Sequence, residues 1–182
     1  MESNEKMLVS SCSFQGVKPI VVDLPYPQIQ VMQKNREYAN ILSNDYAGAV
    51  SELSAITQYI NHENRLVCER CQLAKTIVGI AMAEMIHLQM IGELNFLLGG
   101  NIDFTARMRN GQKRVWTPQY LKMPLYPEEM LAANIEAERN AVNQYRSHMK
   151  MINDKYIAAV LARIIQDEEY HMMILQSLSK DL

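Results

Sequence analysis

Two short motifs in this sequence place a histidine three residues after a glutamate. They are Glu84-Met-Ile-His87 and Glu168-Glu-Tyr-His171. Residues with this spacing lie on one face of a helix, where a carboxylate and an imidazole can bind the same metal ion. Each motif also follows another glutamate about one helix upstream, Glu52 and Glu138 respectively. We therefore predict that these six residues are metal ligands and carry the catalytic chemistry through the metals.

Four helices must position these residues, because each lies on an apolar stripe of three- and four-residue period. Their expected bounds are Asn35 to about Arg65, about Glu69 to Leu98, Pro127 to about Ile152, and Asp154 onward. Gly48 marks an expected interruption of the first helix. Gly99-Gly100 is a strong stop for the second helix, since glycine adopts the left-handed cap without strain.

The four glutamates are predicted to lie level with one another in the bundle. A helix advances about 1.5 Å per residue, so each glutamate lies roughly 21–24 Å from the turn that closes its helix pair. Four buried carboxylates would repel one another and would each lose several kcal/mol of hydration without a cation. Two metal ions per chain remove both problems, and carboxylate oxygens with one imidazole per ion suit Fe or Mn.

The two halves of the chain also resemble each other. The segment 52–62 matches the segment 138–148 in its Glu, Ala, Gln, Tyr and His positions. The simplest structure is all-α: a four-helix bundle over 35–182, made of two helix hairpins joined by a long crossover at 101–126. The preceding residues, 1–34, show no helical period and are predicted to form an extended N-terminal arm along the domain, which could also reach a neighbouring subunit of a homo-oligomer.

Three further residues could support the ligands. Asp167 either accepts a hydrogen bond from a ligating histidine, with His87 across the bundle as the candidate, or is an exposed helix carboxylate. Tyr59 and Tyr145 each lie seven residues after a site glutamate. They either hydrogen-bond a ligand carboxylate, take part in proton or radical transfer, or are buried tyrosines with satisfied hydroxyls.

Composition excludes several classes of function. Of 182 residues, 18 are basic and 20 acidic, which gives no general attraction to nucleic acid or to an anionic membrane. The apolar runs are interrupted by charged residues, so we expect no membrane span, and the first residues do not read as a signal peptide. We expect a cytoplasmic protein.

The three cysteines do not indicate a disulfide framework, because their number is odd. Cys68 and Cys71 form a Cys-x-x-Cys pair that is either a redox dithiol at a helix start or two ordinary cysteines in a turn. The crossover carries the basic residues Arg107, Arg109 and Lys113, which either bind an anionic partner or are solvated.

With these motifs the chain resembles the ferritin-like diiron and dimanganese carboxylate superfamily, in which two helices give Glu and two give Glu-x-x-His. The stretch from Tyr26-Pro27 through Ser51-Glu52-Leu53 to Glu84-Met-Ile-His87 is similar to manganese catalases and their spore-coat relatives. The chain is also similar to rubrerythrins. It departs from them in lacking a rubredoxin domain. It also has Ile135 and Ala141, neither of which is a carboxylate, one turn from Glu138.

The resemblance implies an oxidoreductase that acts on hydrogen peroxide or O2, with catalase- or peroxidase-like protection against oxidative stress. Two alternatives stay open: an iron-oxidising and iron-storing protein, and a structural coat protein with a vestigial metal site. Fe and Mn accept the same ligands, so the sequence does not select between them.

Overall fold

The structure, a computed structural model, describes residues 12–108 and 110–180. Five α-helices make up most of it: α1 (Arg36–Ala47), α2 (Glu52–Leu66), α3 (Cys71–Leu97), α4 (Pro127–Met151) and α5 (Lys155–Lys180). Helix α2 packs chiefly on α3, and α4 packs chiefly on α5. The predicted all-α bundle of two helix hairpins is thereby confirmed, with α1 and α2 forming its first helix in two pieces.

The break between α1 and α2 has a local cause at Gly48. A Cβ there would lie 2.6 Å from the carbonyl oxygen of Asn44, so a larger residue would clash with the preceding turn. The chain then becomes extended and restarts at Ser51, whose hydroxyl accepts a hydrogen bond from the Ser54 N–H as an N-cap. This restart places Glu52 in the first turn of α2.

Helix α3 is the central helix, and it links two apolar clusters. Its first half contributes Ile77 and Ile80 to one cluster, and its second half contributes Ile91 and Leu94 to the other. Among the described residues it is the one helix long and apolar enough to cross a membrane, and just over half of that stretch is buried inside the protein. A buried core helix has the same length and composition as a membrane span, so this finding does not test the expectation of no membrane span.

The crossover contains a short antiparallel hairpin that its composition did not predict. Strands β1 (Thr105–Arg107) and β2 (Lys113–Val115) pair Thr105 with Val115. The Trp116 indole N–H donates to Ser54 Oγ at 3.0 Å, which ties the hairpin to α2. Arg109 lies outside the described residues.

The described part of the arm, from Cys12 onward, lies along its own bundle. The Ile20 N–H donates to the Gly79 carbonyl on α3 at 2.9 Å, and the Met32 N–H donates to Asp154 at 2.7 Å. A Cβ at Gly79 would lie 2.9 Å from the Ile20 side chain, so this glycine leaves the space that the arm occupies.

The expectation that the cysteines form no disulfide is wrong. Cys12 in the arm and Cys71 at the start of α3 form a disulfide across 59 residues, with their Cα atoms 5.4 Å apart. Cys71 therefore pairs with the arm and not with Cys68, which is a free, exposed thiol. The odd number of cysteines left one unpaired, but it gave no reason for the other two to stay reduced.

Candidate metal centre

The six residues predicted to bind metal lie together at the middle of the bundle. Each is at most 2% exposed. They come from four helices: Glu52 from α2, Glu84 and His87 from α3, Glu138 from α4, and Glu168 and His171 from α5. Helix rise brings the two glutamates of each hairpin level, because they are nearly equidistant from its turn. The packing of α2 on α4 and of α3 on α5 then brings the two pairs together.

The ligand atoms form two overlapping groups, in each of which all atoms lie within 4.8 Å of one another. We call them the His87 position and the His171 position. The His87 position consists of Glu52, Glu84, His87 and Glu168, and the His171 position consists of Glu84, Glu138, Glu168 and His171. Glu84 and Glu168 belong to both, so two ions bound here would share these two carboxylates.

Both histidines direct Nδ1 toward the carboxylates. His87 Nδ1 lies 3.0 Å from Glu84 Oε2 and 3.3 Å from Glu168 Oε1. The Nδ1 atom of His171 lies 3.0 Å from Glu84 Oε1 and 3.2 Å from Glu168 Oε2. The glutamates particular to each position are farther away: Glu52 at 3.9 Å from His87 and Glu138 at 3.6 Å from His171.

The other ring nitrogen of each histidine is held from outside the cluster. His87 Nε2 lies 3.0 Å from Asp167 Oδ2, and His171 Nε2 lies 2.7 Å from the Ile20 carbonyl oxygen. An acceptor at Nε2 fixes the ring orientation and leaves Nδ1 free to bind an ion.

Asp167 is itself held by the arm and by α5. It accepts hydrogen bonds from the Val22 N–H at 2.7 Å and from the Tyr26 hydroxyl at 2.6 Å, and Arg163 Nη1 lies 2.7 Å from it. Burial acts to raise the pKa of Asp167, but hydrogen bonds, above all that with His87, outweigh burial and lower the pKa to about 2. Asp167 is therefore an anion behind His87.

Without metal, protons balance the charge of the cluster. Burial, followed by the charge of Glu84, raises the pKa of Glu52 well above its usual range, and burial together with Glu168 does the same for Glu138. Burial acts in the same direction on Glu84, but the two histidines outweigh it and lower its pKa. The carboxylates in turn raise the pKa of His87 against the effect of burial.

The cluster retains an acceptor atom that no protein donor satisfies. Glu52 Oε1 is buried without a hydrogen-bond partner. A buried oxygen in this state loses its hydration without compensation, and a cation restores it. The donor set is six oxygen- or nitrogen-bearing side chains with no thiolate, so it fits hard ions such as Fe or Mn.

The two tyrosines of the repeat differ in their contacts. The Tyr59 hydroxyl donates a short hydrogen bond to Glu138 Oε1, on the opposite hairpin. Tyr145 is buried beside the cluster, and within the described chain no hydrogen bond joins its hydroxyl to any of the six residues. Tyr59 therefore donates to Glu138 of the second hairpin and not to Glu52 of its own helix.

The repeated histidines His62 and His148 lie away from the cluster, as their ten-residue offset from the glutamates predicts. His62 Nε2 contacts the Lys122 carbonyl oxygen at 2.9 Å, and His148 Nδ1 lies 2.7 Å from Asp45 Oδ2. Neither histidine is among the atoms that could hold an ion.

A cavity of about 250 Å³ connects the cluster with the surface between α2 and α4. Its inner end is formed by the carboxylates of Glu52, Glu84, Glu138 and Glu168. Its outer end includes Lys122 and Glu136, whose side chains are more than half exposed. A small molecule can therefore approach the cluster from solvent.

A family model described as Rubrerythrin matches residues 46–179, which include all six residues of the cluster. The chain belongs to the rubrerythrin family. This assignment agrees with the ferritin-like superfamily that the paired motifs indicate.

Individual relatives of this rubrerythrin-family chain come from two groups. A probable manganese catalase of Clostridium acetobutylicum is 24% identical over 161 residues, which are 79% of this chain and 71% of the relative. The solved structure of KatB, a manganese catalase from Anabaena, has a TM-score of 0.75 at 24% identity and covers 88% of this chain and 78% of its own. A Rhodobacter capsulatus bacterioferritin with a metal-free dinuclear site has a TM-score of 0.67 at 22% identity, covering 82% and 87%. These similarities show the shared fold.

Four residues of this rubrerythrin-family site were not recognised as such from the sequence. Ile20 and Val22 act through backbone atoms, which leave no signature in residue type. The role of Tyr26 depends on how the arm is placed. Arg163 had a detectable signal, since it precedes Asp167 by four residues and such pairs meet on a helix.

Proposed function

We propose that this chain is a dinuclear metal oxidoreductase that acts on hydrogen peroxide or O2, with two Fe or Mn ions held by Glu52, Glu84, His87, Glu138, Glu168 and His171. One observation carries the proposal: two overlapping groups of buried ligand atoms share two carboxylates at the inner end of a cavity. The printed descriptions of two relatives as manganese catalases support the same chemistry.

When bound, two adjacent ions that each change oxidation state by one supply the two electrons that cleavage of an O–O bond requires. The residues of the chain do the rest. Glu84 and Glu168 hold the two positions together, since their oxygens lie near both histidines. Asp167 and the Ile20 carbonyl fix the histidine rings. The Tyr59 hydroxyl holds a proton at Glu138 Oε1.

The test is peroxide disproportionation, in which two molecules of hydrogen peroxide give two of water and one of O2. Protein loaded with Mn or with Fe is assayed for O2 evolution, and its metal content is measured by elemental analysis. We expect O2 evolution, and we expect His171→Ala to abolish it and to lower the metal content. Full loading without any consumption of peroxide, for either metal, would contradict a catalase-like function.

An iron-oxidising function is the second candidate, because the fold is shared with a bacterioferritin. The same six residues would bind Fe(II) as a substrate. The two functions are distinguished by adding Fe(II) in air, in an amount far greater than the two positions can hold. Continued growth of a mineral inside an assembly favours storage, whereas saturation followed by peroxide turnover favours the oxidoreductase.

A further inference from the structure

The cavity above the cluster has an unusual lining. Between its carboxylate end and its surface end, five of the nineteen lining residues are alanine, the smallest chiral residue, and the larger ones include Gln58, Tyr120 and Gln144. The alanines are Ala49, Ala55, Ala133, Ala137 and Ala141. Ala137 and Ala141 belong to α4 and flank Glu138 by one and three residues. Because a methyl group fills so little space, these positions keep open a passage that larger side chains would close.

The outer end of the passage lies at an ion pair. Lys122 Nζ of the crossover and Glu136 Oε2 of α4 are 2.6 Å apart, and their side chains are 57% and 51% exposed. An ion pair this exposed contributes about 1 kcal/mol or less. It therefore limits the width of the opening without sealing it.

One edge of the opening is fixed by the first Gln–His pair of the internal repeat. Gln58 Oε1 accepts from the Lys122 N–H at 2.8 Å, and His62 Nε2 contacts the Lys122 carbonyl oxygen at 2.9 Å. Both backbone groups of Lys122 are thus held by α2. The crossover is therefore held in place at Lys122, the residue whose side chain pairs with Glu136.

The second Gln–His pair fixes another part of the lining. Gln144 donates to the Val50 carbonyl oxygen at 2.8 Å and to Asp45 Oδ1 at 2.7 Å. His148 Nδ1 lies 2.7 Å from the other oxygen of Asp45. The break between α1 and α2, which lines the passage at Ala49 and Val50, is therefore held from α4. The repeated pairs that bind no metal hold two parts of the lining.

We propose that this passage is the route by which the oxidant reaches the cluster, and that Ala137 sets its width so that hydrogen peroxide passes and hydroperoxides with a bulky organic group do not. The inference rests on the proposed function and specifies its substrate class. Fixed edges are what such discrimination needs, because a flexible opening would adapt to larger molecules.

The first experiment narrows the passage with Ala137→Leu. Its matched control is Ala132→Leu, the same change on the exposed face of the same helix. We expect kcat/KM for hydrogen peroxide to fall by about tenfold or more in Ala137→Leu, with unchanged metal content and melting temperature. Ala132→Leu should match the unmodified protein. Equal kcat/KM in both variants would overturn the proposal.

A second readout does not depend on turnover. Azide is a small anion that binds metal ions directly, and its association with the loaded protein is followed by absorption spectroscopy in a stopped-flow instrument. Azide association should be slower in Ala137→Leu and unchanged in Ala132→Leu. An unchanged rate in Ala137→Leu would show that small molecules reach the cluster elsewhere.

The size limit has its own test in the unmodified loaded protein. Because tert-butyl hydroperoxide cannot be oxidised to O2 as hydrogen peroxide is, ascorbate is supplied as the electron donor in both assays. Consumption of tert-butyl hydroperoxide should then be slower than that of hydrogen peroxide by about tenfold or more. Equal rates for the two compounds would overturn the size limit.

The outcomes separate this proposal from the proposed function. If the loaded protein consumes no peroxide but Ala137→Leu slows azide association, the passage stands and the function fails. If peroxide is consumed and neither rate responds to Ala137→Leu, the function stands and the passage fails.

Discussion

The His87 and His171 positions have matching ligands but different surroundings. The residue before Glu168 is Asp167, which accepts from His87, whereas the residue before Glu84 is the buried Ala83. Ala83 has no carboxylate to place behind His171, and the arm supplies the neutral Ile20 carbonyl instead. The internal repeat reproduces the residues that could bind metal but not the groups that hold them.

The difference continues at the carboxylates. Glu138 in the His171 position accepts from Tyr59, whereas Glu52 in the His87 position has no corresponding bond from Tyr145. An anionic acceptor increases the basicity of a histidine, and a hydroxyl donor withdraws charge from a carboxylate. The His87 position is thus the more electron-rich of the two.

The largest expected effect comes from a residue that both positions share. Glu84→Gln removes a negative charge that both positions share and leaves Glu168 as the one carboxylate common to both histidines. We expect metal affinity to fall on the order of 100-fold or more at both, following the cost of breaking a buried charge pair. Elemental analysis after dialysis measures the loss. Glu93→Gln, an exposed change on the same helix, is the control; full metal content in Glu84→Gln would refute the shared role.

Asp167→Asn should act on one position only. Loss of the anionic acceptor behind His87 is expected to weaken metal binding there by roughly 10–100-fold, while the His171 position keeps its affinity. Titration against a chelator of known affinity resolves the two binding steps. Glu169→Gln, on the exposed side of α5, serves as control. Equal weakening of both steps would show that the positions are not separable in this way.

Asp167 should also make the stability of the metal-free protein depend on pH in the acid range. Asp167 has its pKa lowered from 3.8 to about 2, so its contribution is present above pH 4 and is lost as the pH falls toward 2. The shift corresponds to about 2 kcal/mol. Denaturant unfolding at several pH values should show this difference between the unmodified protein and Asp167→Asn near neutrality, and its disappearance in acid. A difference independent of pH would contradict the assignment.

The tyrosines give a smaller effect and a matched pair of variants. Tyr59→Phe leaves Glu138 Oε1 without its donor and should cost roughly 1–3 kcal/mol in the free energy of unfolding. Tyr145→Phe removes no bond to the cluster and should cost clearly less. Both are measured by denaturant unfolding of the metal-free protein. Equal losses of unfolding free energy in the two variants would mean that the bond from Tyr59 to Glu138 adds no stability.

The smallest effect tests the arm. Gly79→Leu places a side chain where the Ile20 side chain packs, so the arm and its carbonyl must move away from His171. We expect metal affinity at the His171 position to fall roughly threefold, which is below 1 kcal/mol. Hydrogen exchange should also become faster at the Ile20 amide, which is bonded to Gly79. Unchanged exchange would show that the arm is not held by this contact.

The sequence was sufficient for features that depend on helix geometry. A period of 3.6 residues places Glu84 and His87 on one face, and the rise per residue brings Glu52 level with Glu84. Contacts that cross between elements were harder to predict. The pairing of Tyr59 with Glu138 depends on how the hairpins are rotated against each other, and the contact of Ile20 with His171 depends on the path of an arm without periodicity.

The disulfide between Cys12 and Cys71 closes a covalent ring that contains the arm, α1 and α2. Closing a loop of this length restricts the unfolded chain by about 4 kcal/mol in the chain-entropy description. The disulfide also attaches the arm covalently to α3 at Cys12, a short distance before Ile20. If the arm separates from α3 at Ile20, it can therefore move only a short distance. Retention of metal at the His171 position would then depend on the thiol–disulfide balance of the surroundings as well as on the concentration of metal.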